Sequence, residues 1–307
     1  MKVRIGTRGS KLALWQAYHV QELLEKSGAE TEIVTIDTKG DKILDVSISK
    51  IGSKGVFTEE IEEQLASGAI DIAVHSAKDM QSELPAGFEL IAFGEREKVN
   101  DVIISSHDLS LESTGLTIGT SSTRRIAFLK KYYPNISTVP IRGNLQTRIR
   151  KMEEGQCDGL FLAYAGVNRM GYNDKISHEL NTQKFIPAVG QGSIAVEVFE
   201  SLDAKKRELV RNCVNDETSE IAIRAERAYL KKMQGGCSVP IFGYARVENQ
   251  EVVLHGGIIS LNGNDIVVSK SNAPVSNPEL AGEQLGEYIL SNGGATILAE
   301  IRREQGS

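Results

Sequence analysis

Val3-Arg4-Ile5-Gly6-Thr7-Arg8-Gly9-Ser10-Lys11-Leu12-Ala13-Leu14 takes the chain from a strand straight into a helix. Residues 3–6 read as a short buried strand. Ser10 can cap the helix behind it, whose apolar positions include Leu12, Leu14, Ala17, Leu23 and Leu24, and Gly28 stops it. Residues 32–38 alternate as a second strand. After a Gly- and Lys-bearing loop over 39–55, Thr58 is placed to cap a helix that ends near Gly68. Glu59 and Glu60 in its first turn suit the helix dipole. Residues 71–75 and 88–93 read as further strands. Strand and helix alternate, so a mostly parallel sheet covered by helices is expected.

The same alternation runs through the middle third. Residues 102–105 and 116–119 read as strands, and Thr120-Ser121-Ser122 opens a helix carrying Arg124 and Arg125. Residues 136–141 form a strand, Asn144 caps a helix bearing Arg148 and Arg150, and the strand 159–163 leads to a segment ending at Arg169. Pro187-Ala188-Val189-Gly190-Gln191-Gly192 reads as a crossing point, because the apolar strand 193–198 follows its Gly-rich turn and returns the chain to the first unit. The last third changes character. A helical pattern over 217–233 ends at Gly235-Gly236. Residues 242–247, 251–255 and 265–270 make an antiparallel meander with turns at Asn249-Gln250 and Asn262-Gly263-Asn264. A final helix covers 278–291. The expected division is a discontinuous α/β domain of 1–94 and 193–212, a second α/β domain of 98–188, and a small α+β domain of 216–307.

Bulk properties agree with that division. A chain of 307 residues exceeds one ordinary core. With 40% hydrophobic and 25% charged residues it has the composition of folded domains, not of disordered or fibrous chains. A net charge of -6 argues against a general nucleic-acid binder. The three cysteines, Cys157, Cys213 and Cys237, form no Cys-x-x-Cys pair, which fits neither a disulfide scaffold nor a structural zinc site. The histidines lack metal-ligand spacing, so no metal is expected. No signal-peptide core precedes the first strand, and no apolar run approaches the ~20 residues that span a bilayer. A cytoplasmic protein without a membrane partner is expected, and the lack of an apolar stripe points to a monomer.

Basic residues fall at the expected strand ends. Arg8 follows the first strand, Lys78 the strand ending at His75, and Arg124 and Arg125 the Gly119-Thr120-Ser121-Ser122 turn. Arg142 follows the strand ending at Ile141, with Arg148 about a helical turn further on. Open α/β sheets bind ligands at the carboxyl ends of strands, where helix N-termini and backbone N–H groups point outward. Arginine adds two-pronged, always-charged donors for carboxylate or phosphate. One such residue alone is most simply a solvated side chain paired with a nearby acid. Six together at strand ends point to a polyanionic ligand of either kind.

Asp79 lies within this basic set, in His75-Ser76-Ala77-Lys78-Asp79. It is either a salt-bridge partner or an acid that stabilises a developing cation or moves a proton. Cys237 sits in Gly235-Gly236-Cys237-Ser238-Val239-Pro240, a loop that leaves its thiol sterically open, whereas Cys157 and Cys213 fall in helix-like stretches. The choices for Cys237 are a small buried hydrophobe or a reactive thiol. Gly52-Ser53-Lys54-Gly55 is too short for a P-loop. With Lys50 and Phe57 it reads as a flap over a cleft or as a plain surface loop.

These segments in order resemble the porphobilinogen deaminase (hydroxymethylbilane synthase) family. The resemblance is carried by the stretch from Thr7 to Ala17, by Lys39-Gly40-Asp41, by Ala73-Val74-His75-Ser76-Ala77-Lys78-Asp79, and by Gly119-Thr120-Ser121-Ser122-Thr123-Arg124-Arg125. It continues through Arg142-Gly143-Asn144 with Thr147-Arg148, Pro187-Ala188-Val189-Gly190-Gln191-Gly192, Ala225-Glu226-Arg227 and Gly235-Gly236-Cys237-Ser238-Val239-Pro240. It implies a transferase of tetrapyrrole (porphyrin, haem) biosynthesis. Such an enzyme condenses four porphobilinogen molecules head to tail, with loss of ammonia, on a covalently bound dipyrromethane cofactor, and hydrolysis then frees the product.

The resemblance further implies that Cys237 carries the cofactor through a thioether, and that Asp79 contacts the pyrrole nitrogens and stabilises an azafulvenium-like cation. Lys78, Asp79, Ser121, Ser122, Arg124, Arg125, Arg142 and Gly143 would hold the cofactor. Arg8, Ser10, Thr120, Arg142, Arg148, Arg169 and Gln191 would hold substrate. Lys50, Lys54 and Phe57 would belong to a flexible loop near the cleft. The fold would be two α/β domains like the lobes of periplasmic binding proteins, with the active-site cleft between them, and a small C-terminal α+β domain with an antiparallel sheet that presents Cys237. One departure stands out. The family commonly has a proline within two residues of the aspartate, and here Met80-Gln81-Ser82-Glu83-Leu84 intervene before Pro85.

The chemistry of such a reaction matches the residues. Each monomer brings two carboxylates, which arginine suits, the coupling passes through cations, which a carboxylate stabilises, and a tether keeps one partner positioned. Two other classes compete. A non-catalytic anion-binding protein on the same two-lobed plan explains the basic strand ends but not an open cysteine or a third domain. A nucleic-acid binder is opposed by net charge and by the lack of aromatic residues interleaved with the arginines.

Overall fold

The computed structural model describes residues 1–42, 58–236 and 238–305. Three sheets organise them. The first contains β1 (Lys2–Arg8), β2 (Glu30–Ile36), β3 (Ile72–Ser76), β4 (Phe88–Phe93) and β10 (Ile194–Phe199), in the order β2-β1-β3-β10-β4. The second contains β5 (Asp101–Ile104), β6 (Thr117–Gly119), β7 (Ser137–Val139), β8 (Gly159–Ala163) and β9 (Ile176–Glu179), in the order β7-β6-β8-β5-β9. The third is an antiparallel sheet of β11 (Ile241–Glu248), β12 (Glu251–Ile259) and β13 (Ile266–Pro274). The strand β9 has no counterpart in the sequence reading.

The opening stretch folds as its pattern predicts. β1 pairs in parallel with β2 and β3. The Ser10 side chain accepts from Ala13 N at 3.3 Å and caps the helix Lys11–Lys26. That helix buries Ala17, Val20 and Leu24 against Val3 and Ile5. Thr58 precedes the helix Glu59–Ala66 but does not cap it; its Oγ1 accepts from Gln81 Nε2 at 3.2 Å instead.

Each large sheet is mixed: four of its five strands run the same way, as the expectation of a mostly parallel sheet has it, and one strand runs against them. β10 runs antiparallel to β3 and β4, and β5 runs antiparallel to β8 and β9. These are the two strands by which the chain changes sheet. β5 is entered from β4 through residues 94–100 and β10 from β9 through residues 180–193. The two connections lie side by side, with Gly94 N donating to Ile194 O at 3.0 Å and Glu97 N to Gly192 O at 3.1 Å. Gly190 and Gly192 take φ of 73° and 96°. A Cβ at Gly190 would stand 2.9 Å from the Ala77–Lys78 peptide, and one at Gly192 would stand 2.4 Å from Glu97 O. Only glycine fits where the segments pass this closely.

Glu226, on the helix Glu217–Lys232, fastens this crossing to the third unit. Fully buried, it accepts from Arg96 Nη1 at 2.6 Å, Arg96 Nη2 at 3.1 Å, Gly190 N at 2.7 Å and Ala245 N at 2.7 Å. A buried carboxylate survives on such a full set of donors. The third unit's own core joins Tyr229, Leu254, Leu285 and Ile289. Asn249 and Gln250, with φ of 50° and 66°, form the two-residue hairpin turn expected there.

The sequence pattern ends the last helix at 291. In the structure that helix covers Glu279–Ile289, the chain kinks at Gly293 with φ 104°, and a further helix runs from Ala295 to Gln305. Gly293-Gly294 reads as a stop, yet Ile297, Leu298 and Ile301 restart an apolar face that packs into the third core. Cys157 also differs from expectation: it lies between the helix Leu145–Glu153 and β8, not in a helix. Cys213 is in the helix Ala204–Val214, as expected.

Candidate active site

The strand ends of both large sheets converge on a cleft of about 1510 Å³, larger than the ~300–1,000 Å³ of ordinary small-molecule sites. β1 delivers Arg8 and Ser10 to its wall, and the turn after β3 delivers Lys78 and Asp79. The turn after β6 supplies Thr120, Ser121, Ser122, Arg124 and Arg125, and the segment after β7 supplies Arg142, Gly143 and Arg148. The third unit adds Gly235, Gly236 and Ser238. Among the described residues, eight lysines and arginines and three carboxylates line the wall. That excess of five positive charges, on a chain of net charge -6, selects an anionic ligand.

Arg124 and Arg125 are the most constrained of these cations. Both are buried, and both pair with Asp101, which heads β5 and is 0% exposed. Arg124 Nη1 lies 2.8 Å from Asp101 Oδ2, and Arg125 Nη2 2.7 Å from Oδ1. Arg124 Nη1 also donates to Ile186 O at 2.9 Å, and Arg125 Nη1 to Phe161 O at 3.0 Å. Gln191 Nε2 completes the cluster, donating to Asp101 Oδ1 at 3.0 Å and Val99 O at 2.7 Å. Burial alone would raise the Asp101 carboxyl, but the two guanidiniums hold it well below the usual carboxylate range. One carboxylate for two guanidiniums leaves a net positive charge on the wall. Sequence reasoning does not single out Asp101. The signal available was an acid heading the apolar run Asp101-Val102-Ile103-Ile104.

The helix Thr123–Tyr132 behind this wall has no side-chain cap. Ser122 N turns back to Thr120 Oγ1 at 3.2 Å, and Ser121 Oγ donates to Ile141 O at 3.2 Å. The first-turn N–H groups thus face the cleft end without a side-chain acceptor from the cap, the arrangement that favours an oxyanion. Beyond it, Gly143 takes φ 114°, and Asn144 Oδ1 accepts from Thr147 N at 2.9 Å to cap the helix Leu145–Glu153. Arg148 Nε donates to Gly143 O at 2.7 Å. Burial lowers the Arg148 guanidinium to about 10, which leaves it charged at neutral pH.

The opposite wall is less enclosed. Lys78 is half-buried and Asp79 exposed to the cleft, on a single 3₁₀ turn after β3. Burial pushes Lys78 down to about 8, with the Asp79 charge pulling the other way. Arg169 is not on the main cleft. It lines an adjoining chamber of about 210 Å³ that shares Lys78, Asp79, Arg125 and Arg148 with it. Its Nη2 donates to Gly192 O at 2.7 Å, and its guanidinium lies 5.2 Å from the Trp15 ring centre. Cys237, Lys50, Lys54 and Phe57 lie outside the described residues.

Two family descriptions match the chain: "Porphobilinogen deaminase, dipyromethane cofactor binding domain" over residues 3–207, and "Porphobilinogen deaminase, C-terminal domain" over 221–291. The chain belongs to the porphobilinogen deaminase family. A protein of that name from Desulfosudis oleivorans is 52% identical over 308 residues, covering 99% of each chain. Another from Cytophaga hutchinsonii is 52% identical over 303 residues, covering 98% of this chain and 97% of its own. Solved structures with some likeness include a double-mutant VFT2 domain of BvgS from Bordetella pertussis. It is 17% identical with TM-score 0.43, over 69% of this chain and 86% of that one. The methionine-binding protein MetQ is 12% identical with TM-score 0.44, over 69% and 89%.

A porphobilinogen deaminase needs room and counter-charge for a dipyrromethane group with carboxylate side chains. The cleft fits it, since its volume exceeds that of a single-ring site and its wall carries the cation excess that such carboxylates require.

Proposed function

We propose that this cleft is where the chain condenses four porphobilinogen molecules head to tail, with loss of ammonia, on a dipyrromethane cofactor joined to Cys237 through a thioether. Hydrolysis then releases the linear product, so the protein is a transferase of tetrapyrrole biosynthesis. One observation carries the attachment point. The described neighbours of Cys237, Gly235, Gly236 and Ser238, line the same cleft as Asp79 and the strand-end cations. The other thiols are poor anchors. Cys157 is buried and burial pushes its thiol up, while Cys213 packs against the core of the first sheet.

When bound, the cofactor supplies the pyrrole end to which incoming rings are joined. The chain's own residues bind and orient. Arg124, Arg125 and Arg142, with Lys78, Ser121, Ser122 and Gly143, hold cofactor carboxylates, and Asp101 keeps the first two guanidiniums in place. Arg8, Ser10, Thr120, Arg142, Arg148 and Arg169 receive the carboxylates of incoming porphobilinogen, whereas Gln191, named with them from the resemblance, spends both amide hydrogens on Asp101 and Val99 and orders the Asp101 cluster instead. Asp79 accepts from pyrrole N–H groups, and its charge stabilises the cation left when ammonia departs. Lys50, Lys54 and Phe57 act beside the cleft. Gly40 and Thr58, the described residues nearest that segment's two ends on the wall, support this.

The three sheets correspond, on this reading, to domains of 1–94 with 193–212, 98–188 and 216–307, with the paired crossing segments as hinge. We also read the protein as a cytoplasmic monomer that needs neither nucleic acid nor membrane. Among the described residues no helix is long and apolar enough to cross a membrane, and the large exposed hydrophobic side chains are only Met1, Tyr18, Val268 and Tyr288.

Intact-mass measurement tests the attachment point. The parent chain incubated with porphobilinogen gains a two-ring adduct, Cys237→Ser keeps the bare chain mass and has no activity, and Cys157→Ser and Cys213→Ser keep the adduct. An adduct mapped to either of those other cysteines overturns the assignment.

A further inference from the structure

The helix Ala295–Gln305 lies beyond the residues matched by either family description, which end at 291. Its Ile297, Leu298 and Ile301 anchor it in the third core. Its last turn nevertheless reaches the cleft, where Arg302 and Gln305 form part of the wall. Both side chains hold the loop between the helix Glu217–Lys232 and β11. Arg302 Nη2 donates to Gln234 Oε1 at 3.2 Å, and Gln305 Nε2 donates to Ser238 O at 2.9 Å. The two contacts bracket residue 237 in sequence, one on each side.

The loop needs such bracing. Gln234 takes φ 48°, a left-handed conformation that is strained for a side-chain-bearing residue. Gly235 is closely packed, since a Cβ there would stand 2.6 Å from Ile241 and 2.7 Å from Leu230. The loop is therefore pinned at its start by packing. Across the residue of interest it is pinned by two hydrogen bonds from a helix that nothing in the catalytic reading uses.

We propose that Arg302 and Gln305 are positioning residues, which hold the Gln234–Ser238 segment so that residue 237 is delivered to the cleft for cofactor attachment. The proposal rests on the reading of Cys237 as the attachment point. Neither side chain need touch the reacting atoms. They act through the loop, so their removal slows cofactor uptake more than it disturbs the fold.

The test uses the full chain freed of cofactor, as parent, Arg302→Ala/Gln305→Ala, Gln305→Ala alone, and Arg302→Lys, which retains a donor. Hydrogen exchange over 234–241 is read beside exchange in β12, and uptake is read as the rate at which intact mass gains the adduct with porphobilinogen. The double variant is expected to exchange at least tenfold faster over 234–241, with β12 unchanged, and to take up cofactor at least fivefold more slowly. Arg302→Lys is expected to stay within about twofold of the parent. Unchanged exchange over 234–241, or a loosened loop with uptake within twofold of the parent, overturns the proposal. If the double variant does not fold, Gln305→Ala alone, at the end of the helix, decides by the same two readouts. A Cys237→Ser chain that still gains an adduct would sink the attachment reading instead, while hydrogen exchange over 234–241 still decides the bracing on its own.

Discussion

On the second-sheet wall of the cleft, Arg124 and Arg125 are buried, clamped by Asp101 and tied to backbone carbonyls. On the first-sheet wall, Lys78 and Asp79 stand on one short turn, and Asp79 is exposed to the cleft. The same strand-end geometry thus yields a clamped, buried cationic surface on one side and an exposed acid on the other. Rigid donors aimed at a fixed charge cost no reorganisation when the ligand arrives. The contrast teaches that a charged residue's role is set by what holds it, not by where it falls in sequence.

The largest effect should come from loosening the clamp. Asp101→Asn keeps the volume but leaves two buried guanidiniums without a counter-charge. A destabilisation of about 3–5 kcal/mol is expected, because removing one partner of a buried pair strands the other. Chemical denaturation measures it, and a loss under ~1 kcal/mol would mean that the arginines find solvent instead. Asp79→Asn should do the reverse: stability close to the parent, turnover lower by at least ~100-fold. Near-normal turnover would reduce Asp79 to a spectator. A destabilisation matching that of Asp101→Asn would erase the contrast between the walls.

A smaller effect concerns pH. Lys78 is lowered from 10.5 to about 8 in the folded protein, so the folded state binds this proton less tightly than the unfolded chain does. Its contribution to stability therefore rises with pH between those values, while the cleft loses a cation over the same window. KM for porphobilinogen should climb roughly threefold from pH 7 to pH 9. In Lys78→Arg, whose guanidinium stays charged, that rise should vanish. A rise of equal size in both proteins would assign it to another group.

Much of this architecture is legible in the sequence, for physical reasons. Ser10, Asn144 and Gly28 punctuate helices through local chemistry that needs no tertiary context, and the strand-end arginines follow from the same alternation. Strand direction is not legible in the same way, because the pattern of β5 and β10 shows that they are buried but not which way they run. Their direction depends on the neighbours they pair with, β3 and β4 for β10 and β8 and β9 for β5, which lie far away in the sequence or in a strand the pattern does not show. Asp101 carries no local signal of its role, which depends on two arginines more than twenty residues away in the chain. The helix Ala295–Gln305 is hidden because Gly293-Gly294 signals an end that core packing overrides. Thr58 follows the N-cap rule in sequence, yet Gln81 draws its hydroxyl elsewhere.

The central claim is that rings are added one at a time to a chain tethered at Cys237, with each new pair of carboxylates taken up by the cationic walls. Rapid quenching after brief exposure to limiting porphobilinogen, followed by intact-mass analysis, tests it directly. The account predicts a ladder of evenly spaced covalent adducts that stops at four added rings and is absent from Cys237→Ser. Product formed with no covalent ladder, or a single non-covalent complex in its place, would contradict it.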